Sequence, residues 1–390
     1  MREAKLISQL RAETHSLFAR LVSPQLRLCR THLRMPYSQN WNLGVQESPF
    51  PTLLIEVDYV GSKGIRLLRV IDGNPPQPNL VAQLEAFCVP TNPANSPPSG
   101  QCDQRTLQFN KLYFGAESGV LPFDAANNNA FLHAAFFTGA ASSIYHALQV
   151  NITKRLSRGL AIQAAYTWSH AIDNSSDPLV PTAGNQEFPR NSFDLNAERG
   201  NSDFDVRQRL VLNYTWEIPV GRGHGHLADG RVGKILEGWQ LAGITTFSSG
   251  LPFDIFTDLD TAHLGEIQRP DFNPIAVPLP VSNPRTQSGP NLDFFPDPPF
   301  GRGGNLGRNR FRGPGINNWD MVLQKTVRIS ERLGLELRTE AYNLFNRVQF
   351  NQPGNRTSDP GTFGQSTSEV RRADATSGAR QIQFGMKLTF

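Results

Sequence analysis

The last ten residues, Gln381 to Phe390, alternate strictly. Ile382, Phe384, Met386, Leu388 and Phe390 share one parity; Gln381, Gln383, Lys387 and Thr389 share the other. A period of two places the two sets on opposite faces of a β-strand. A soluble sheet usually blunts such an edge with charge or proline, whereas this strand ends on a bare aromatic. A strand of about ten residues, apolar outward and polar inward, is the unit of a transmembrane β-barrel.

The alternation recurs upstream. Tyr37, Gln39, Trp41, Leu43 and Val45 make one face of a first expected strand, followed by a turn over Glu47 to Pro51. Leu53, Ile55, Val57 and Tyr59 make the second, opposed by Glu56 and Asp58. Leu148, Val150 and Ile152 mark the third, and Leu160, Ile162, Ala164, Tyr166 and Trp168 the fourth. The fifth carries Leu210, Leu212, Tyr214, Trp216 and Ile218 against Arg209, Asn213 and Glu217. Trp239, Leu241, Gly243, Thr245 and Phe247 form the sixth, and Trp319, Met321, Leu323 and Val327 the seventh. Leu335, Leu337, Thr339 and Ala341 form the eighth, backed by Glu336, Arg338 and Glu340.

Short and long connections alternate between these strands. The long ones run over about 71–143, 171–205, 248–316 and 346–377. Outer-membrane barrels have short periplasmic turns and long extracellular loops, an assignment that puts Phe390 on the periplasmic side. Trp216 and Trp239 then stand at periplasmic strand ends, and Trp168 and Trp319 at extracellular ends, where interfacial aromatic girdles belong. Trp41 falls in mid-strand. Arg207, Arg209, Glu217, Glu336, Arg338 and Glu340 are expected to face the lumen. The fold class expected is all-β: the C-terminal portion of an antiparallel transmembrane β-barrel with about nine strands. Single-chain bacterial barrels have even strand numbers, so the N-terminal part of the barrel is expected to be lacking. Nine strands alone are expected to misassemble or remain an open sheet, because hydrocarbon does not tolerate free edges.

Composition agrees. The 390 residues include 33 Gly and 29 Pro, which punctuate short strands and irregular loops. No run of about 18 apolar residues is present, so helical spans are excluded. The net charge of +4 is small and scattered, which argues against a nucleic-acid partner. Cys88 and Cys102 bracket a Pro/Asn/Ser-rich stretch, a candidate disulfide in an oxidising compartment or else two free thiols, with Cys29 left over. Met1 to Val22 is charged and loosely helical, without the apolar core of a secretory signal. Residues 1–35 are therefore expected to be non-native or poorly ordered, and 36–390 to form the barrel domain.

A series of short segments carries a family likeness: Tyr59-Val60-Gly61-Ser62-Lys63-Gly64, Tyr145-His146-Ala147-Leu148-Gln149-Val150, Tyr166-Thr167-Trp168-Ser169-His170, and Phe204-Asp205-Val206-Arg207-Gln208-Arg209. Gly238-Trp239-Gln240, Phe311-Arg312-Gly313-Pro314-Gly315, Asn317 with Trp319-Asp320, and Glu340-Ala341-Tyr342-Asn343-Leu344-Phe345-Asn346 continue it. In this order, over about residues 36–390, they resemble the C-terminal barrel of TonB-dependent receptors of the Oar-like type. The terminal Phe390 likewise resembles the closing strand of bacterial outer-membrane proteins. The resemblance implies a barrel plugged by an N-terminal domain and energised through a TonB box, neither of which is in this sequence. It also implies location in the outer membrane of a Gram-negative bacterium. The partners implied are outer-membrane lipid, the barrel assembly machinery, TonB and a nutrient ligand. The competing class is a surface adhesin or structural barrel without transport. A soluble β-solenoid or sandwich enzyme would have to pack the apolar strand faces against each other.

Other clusters carry weaker chemistry. Ser169, His170 and Asp173 lie close in sequence, but hydrolytic triads converge from separate segments, and no catalytic residue is assigned. Gly221-Arg222-Gly223-His224-Gly225-His226 lacks the Lys-Ser/Thr of a phosphate loop and reads as a flexible turn. Asp254, Asp258, Asp260 and Glu266 lack an EF-hand glycine and read as solvated loop charges. Arg302, Arg308, Arg310 and Arg312 read as a basic loop, with an anionic ligand or lipopolysaccharide as the sharper alternative. No cofactor and no metal site is expected.

Overall fold

A period-two pattern can bury only one side of a strand, and here it organises one large sheet, beside which Pro252–Phe253 and Phe311–Arg312 make a small separate pair. The computed structural model describes residues 26–29, 33–72, 134–177, 188–220, 233, 237–262, 264, 266–273, 292–299, 302–330, 333–370 and 378–390. Nine strands follow one another in an antiparallel meander: β1 (Tyr37–Phe50), β2 (Leu53–Asp72), β3 (Ala134–Ser157), β4 (Leu160–Asp173), β5 (Gln208–Glu217), β6 (Trp239–Ser248), β7 (Ile316–Arg328), β8 (Gly334–Tyr342) and β9 (Gln381–Thr389). β1 and β9 are the two edges, so the sheet is not closed. Among the described residues no helix is long and apolar enough to cross a membrane.

Each expected strand is present, and several are longer than expected. β1 runs on through Phe50, leaving a two-residue turn before Leu53. β2 and β3 have 20 and 24 residues, so paired strand occupies both ends of what reads in the sequence as a loop over 71–143. Within the segment expected to be poorly ordered, Leu26–Cys29 pairs in parallel with Ala134–Phe137. The β3–β4 turn places Arg158 and Gly159 at φ 52° and 76°. Two positive φ values make the mirror-image turn that matches strand twist, and glycine accepts this conformation without steric cost.

Register fixes the tilt of the sheet. The row starting at Leu53 passes through Lys154, Ile162, Tyr214, Gly243 and Met321 and meets β8 at Ala341. β8 begins seven residues earlier, at Gly334, so the short-turn ends step by about 1.2 residues per strand. With ~3.3 Å per residue and ~4.8 Å between strands, the tilt is roughly 40°, within the range of closed barrels.

Two chemically distinct faces result. One row reads Leu160, Trp216, Leu241, Leu323, Thr339, Phe384, and a row of opposite parity three residues further along reads Thr153, Gln163, Asn213, Ile244, Asp320. The apolar face stays open to its surroundings: Leu43, Trp168, Phe384 and Met386 are 72, 56, 82 and 76% exposed. Glycines on this face are roofed by aromatics. A Cβ at Gly61 would lie 2.1 Å from the Trp41 ring, and one at Gly243 2.6 Å from the Tyr214 hydroxyl. The largest apolar cluster lies outside the sheet. Phe253, Ile255, Phe295, Leu306 and Phe363 come from the connections after β6 and β8 and pack as one core at the long-loop end.

Candidate functional site

The long connections fuse into one body through buried charge. After β4, Asp194 caps a 3₁₀ turn, Leu195–Glu198, by accepting from the Asn196 amide. That turn presents Glu198 to two guanidiniums, Arg190 at 3.1 Å and Arg269 at 2.6 Å. Arg269 also holds Asp254 at 2.7 Å, so the loop after β4 is tied to the loop after β6. Asp254, Glu198 and Arg269 are 1, 2 and 2% exposed. Burial alone would raise the Glu198 carboxyl, but the Arg269 and Arg190 charges outweigh it and bring it down to about 2. Asp203 goes the other way: burial raises it more than Arg308 lowers it.

A second tie joins the same loops. Arg308 pairs with Asp173 and with Asp203 (3.2 Å) and donates to Ser176 at 2.7 Å. Asn309 exchanges hydrogen bonds with Asn201, Nδ2 donating to its carbonyl and its own carbonyl accepting from Asn201 Nδ2, both at 2.8 Å. Arg312 pairs with Asp205, whose other carboxylate contacts are the Ala171 amide at 2.7 Å and Arg207 Nε at 2.9 Å. The acidic residues Asp254, Asp260 and Glu266 are therefore buried, not solvated loop charges as the sequence suggests. Nor are the arginines a free basic loop: Arg302 pairs with Asp271, and Arg310 lies over the Phe272 ring at 4.8 Å. Among the described residues no acidic, histidine and cysteine group is arranged to hold a metal. Ser169, His170 and Asp173 have separate partners, the Val206 carbonyl, Asn201 and Arg308.

Beneath this body the polar face forms a trough of about 1080 Å³, lined by Gln163, Asn213, Asp320, Arg338, Glu340 and Tyr342 among others. Arg338 lies 2.5 Å from Glu340, which also accepts from the Tyr342 hydroxyl at 2.6 Å. Glu336 stands opposite Lys387, and Glu217 opposite Gln240. Arg209, Glu217, Glu336, Arg338 and Glu340 share the parity of this face by register. Arg207 precedes β5 and joins the loop body instead, bonded to Asp205 and Asn201. Cys88, Cys102 and the Gly221–His226 segment lie outside the described residues.

A family model described as an outer membrane beta barrel domain matches residues 6–383. The chain belongs to this family. Its place is thus the outer membrane of a Gram-negative bacterium, with short turns periplasmic and long loops extracellular. No curated protein matches the sequence. Among solved structures, the barrel is similar to the outer membrane transporter YddB from Escherichia coli (10% identity, 94% of this chain, 34% of that one, TM-score 0.43). It is also similar to the pyoverdine receptor FpvA from Pseudomonas aeruginosa PAO1 (10% identity, 91% and 30%, TM-score 0.38). A third is a mutant of the ferric enterobactin receptor PfeA from P. aeruginosa (11% identity, 92% and 31%, TM-score 0.37). The chain spans about a third of the length of these structures.

Sequence reading missed the partners of the barrel's rim, although the recurring segments contain them. Asp205 of one segment meets Arg312 of another. Asp320 accepts from the Asn343 amide at 2.8 Å, and Tyr59 bonds His146 at 2.7 Å. Asn343, at φ 49°, reaches the Arg347 and Gly378 carbonyls at 2.9 and 2.7 Å and so anchors the loop after β8.

Proposed function

We propose that this barrel is the wall of a TonB-dependent uptake receptor of the Oar-like type, capturing a nutrient ligand at its extracellular loops. The observation that carries the reading is the pairing of the segments that bear the family likeness. Asp205 with Arg312, Asp320 with Asn343, and Tyr59 with His146 join these segments in pairs across the fold. In this reading the charged trough packs against a plug, and TonB is the energising partner. In this reading the chain is non-enzymatic: the buried Glu198, Asp254 and Arg269 pair with one another within the loop body and hold architecture. Insertion involves the barrel assembly machinery and outer-membrane lipid.

The same geometry supports a lipid-facing band in this reading. At a tilt of roughly 40° each residue climbs about 2.5 Å. Trp216 is next to the end of β5, Trp239 begins β6, and Phe390 follows β9, which sets the periplasmic girdle. Trp168 and Trp319 stand eight and nine residues above the periplasmic ends of β4 and β7, roughly 20 Å higher. Trp41 pairs with Gly61, eight residues above Leu53, and joins that outer girdle instead of lying in mid-band.

The test is the genomic reading frame around this sequence. A plug domain and TonB box in frame ahead of the barrel support the receptor. A frame in which a secretion signal leads directly into the barrel would replace it with a surface-binding barrel.

A further inference from the structure

At and just above the outer girdle the outward face places one cation, Lys63, and two imidazoles, His146 and His170, among apolar and neutral residues. Trp41, Gly61, His146 and His170 form one register row, and Gln39, Lys63, Ile144 and Ile172 the next. Neither row contains a carboxylate. The trough side, by contrast, interleaves acids with bases. Lys63 is exposed and stands ten residues above Leu53, about 25 Å above the periplasmic ends, where an apolar band ~25 Å tall gives way to headgroups.

The histidine is held in place. Tyr59 Oη lies 2.7 Å from His146 Nδ1, with the rings stacked at 6.1 Å and 14°. Trp41 packs against the same imidazole at 5.9 Å, tilted by 56°. With Nδ1 engaged, Nε2 is the imidazole's remaining polar atom. Lys63 lies on the diagonal of the pair Gly61–His146, a spacing that long side chains bridge. A lysine ammonium and a ring N–H above an aromatic shelf suit a phosphate group carried on a sugar, because charge-assisted bonds to phosphate are short and strong.

We propose that Lys63 and His146, with Trp41 and Tyr59 beneath them, bind a phosphate of lipid A, the phosphorylated glycolipid of the outer leaflet. The proposal rests on the membrane-facing assignment of the aromatic rows. The arginines of the 302–312 loop are already engaged: Arg302 with Asp271, Arg308 with Asp173, Arg312 with Asp205, and Arg310 over the Phe272 ring.

The experiment is native mass spectrometry of the full chain in neutral detergent, titrated with diphosphoryl lipid A and with its dephosphorylated form. The phosphorylated lipid is expected to bind at least tenfold more tightly. The double variant Lys63→Ala/His146→Ala is expected to lose that advantage. Lys325→Ala, which removes the same charge near the periplasmic end, is expected to keep it, and far-UV circular dichroism checks that all variants retain the sheet. Equal binding of the two lipid forms would overturn the proposal, as would equal losses in the Lys63/His146 and Lys325 variants. Phosphatidylglycerol binding as tightly as lipid A would overturn it in favour of any anionic lipid. A chain that stays in aqueous buffer without detergent would instead defeat the membrane assignment beneath it, a separately visible result.

Discussion

Arg269 Nη2 lies 2.6 Å from Glu198 Oε2, and this contact joins two extracellular loops through residues 71 positions apart in sequence. Arg269→Met would leave Glu198 and Asp254 buried with a lost partner, at a cost of about 3–5 kcal/mol to the loop body. Hydrogen exchange should then accelerate over 254–268 and 190–199, while the sheet signal in far-UV circular dichroism stays unchanged. Unchanged protection in those loops would refute the bridging role.

Acid should loosen the same body. The Glu198 carboxyl is held at about 2 in the folded loops, against 4.5 for the free side chain. A depressed folded value means that its contribution is complete above about 4.5 and is lost as pH falls toward 2. By linkage this is worth on the order of 3 kcal/mol. Limited proteolysis by an acid-active protease should find the loop after β4 resistant at pH 5 and cut at pH 2.5. Glu198→Gln should flatten that difference.

Opposite faces of one strand should respond differently to charge. Leu212 belongs to the apolar face of β5 and Asn213 to the polar face. Leu212→Arg places a cation near mid-band on the lipid side and should cost roughly 2–4 kcal/mol. Asn213→Arg, facing the trough, should cost well under half as much. Urea unfolding from lipid vesicles compares them, and equal costs would contradict the assignment of faces.

Trp41 offers a depth measurement. Quenching by lipids brominated at defined chain positions should place a Trp41-only variant at the depth of a Trp168-only variant. Both should lie near one interface, opposite Trp216. Maximal quenching of Trp41 by bromines at the bilayer centre would return it to mid-band.

The strands were legible because alternation is a local property. β9 announces itself in ten residues, and the paired rows of β4, β5 and β7 follow from parity alone. Trp41 was harder, because its depth depends on how far β2 continues past Tyr59. There Gly61, Ser62, Lys63 and Gly64 interrupt the apolar alternation while the backbone pairing persists. The loop body was illegible for a different reason. Asp173 and Arg308 stand 135 positions apart, and no spacing rule connects them. A carboxylate in a Pro/Gly-rich segment reads as solvated until its guanidinium is found. The Phe204–Arg209 and Phe311–Gly315 segments pointed to Asp205 and Arg312, though only as members of a family pattern.

β1 and β9 both run from the extracellular side toward the periplasm, since eight antiparallel steps separate them. Each free edge therefore accepts only a neighbour that runs outward. Any antiparallel segment that closes the ring must begin and end with outward strands, and so must contribute an odd number of them. Two copies of this meander standing side by side in the same membrane orientation would meet edge to edge in parallel, which excludes an all-antiparallel homodimeric ring.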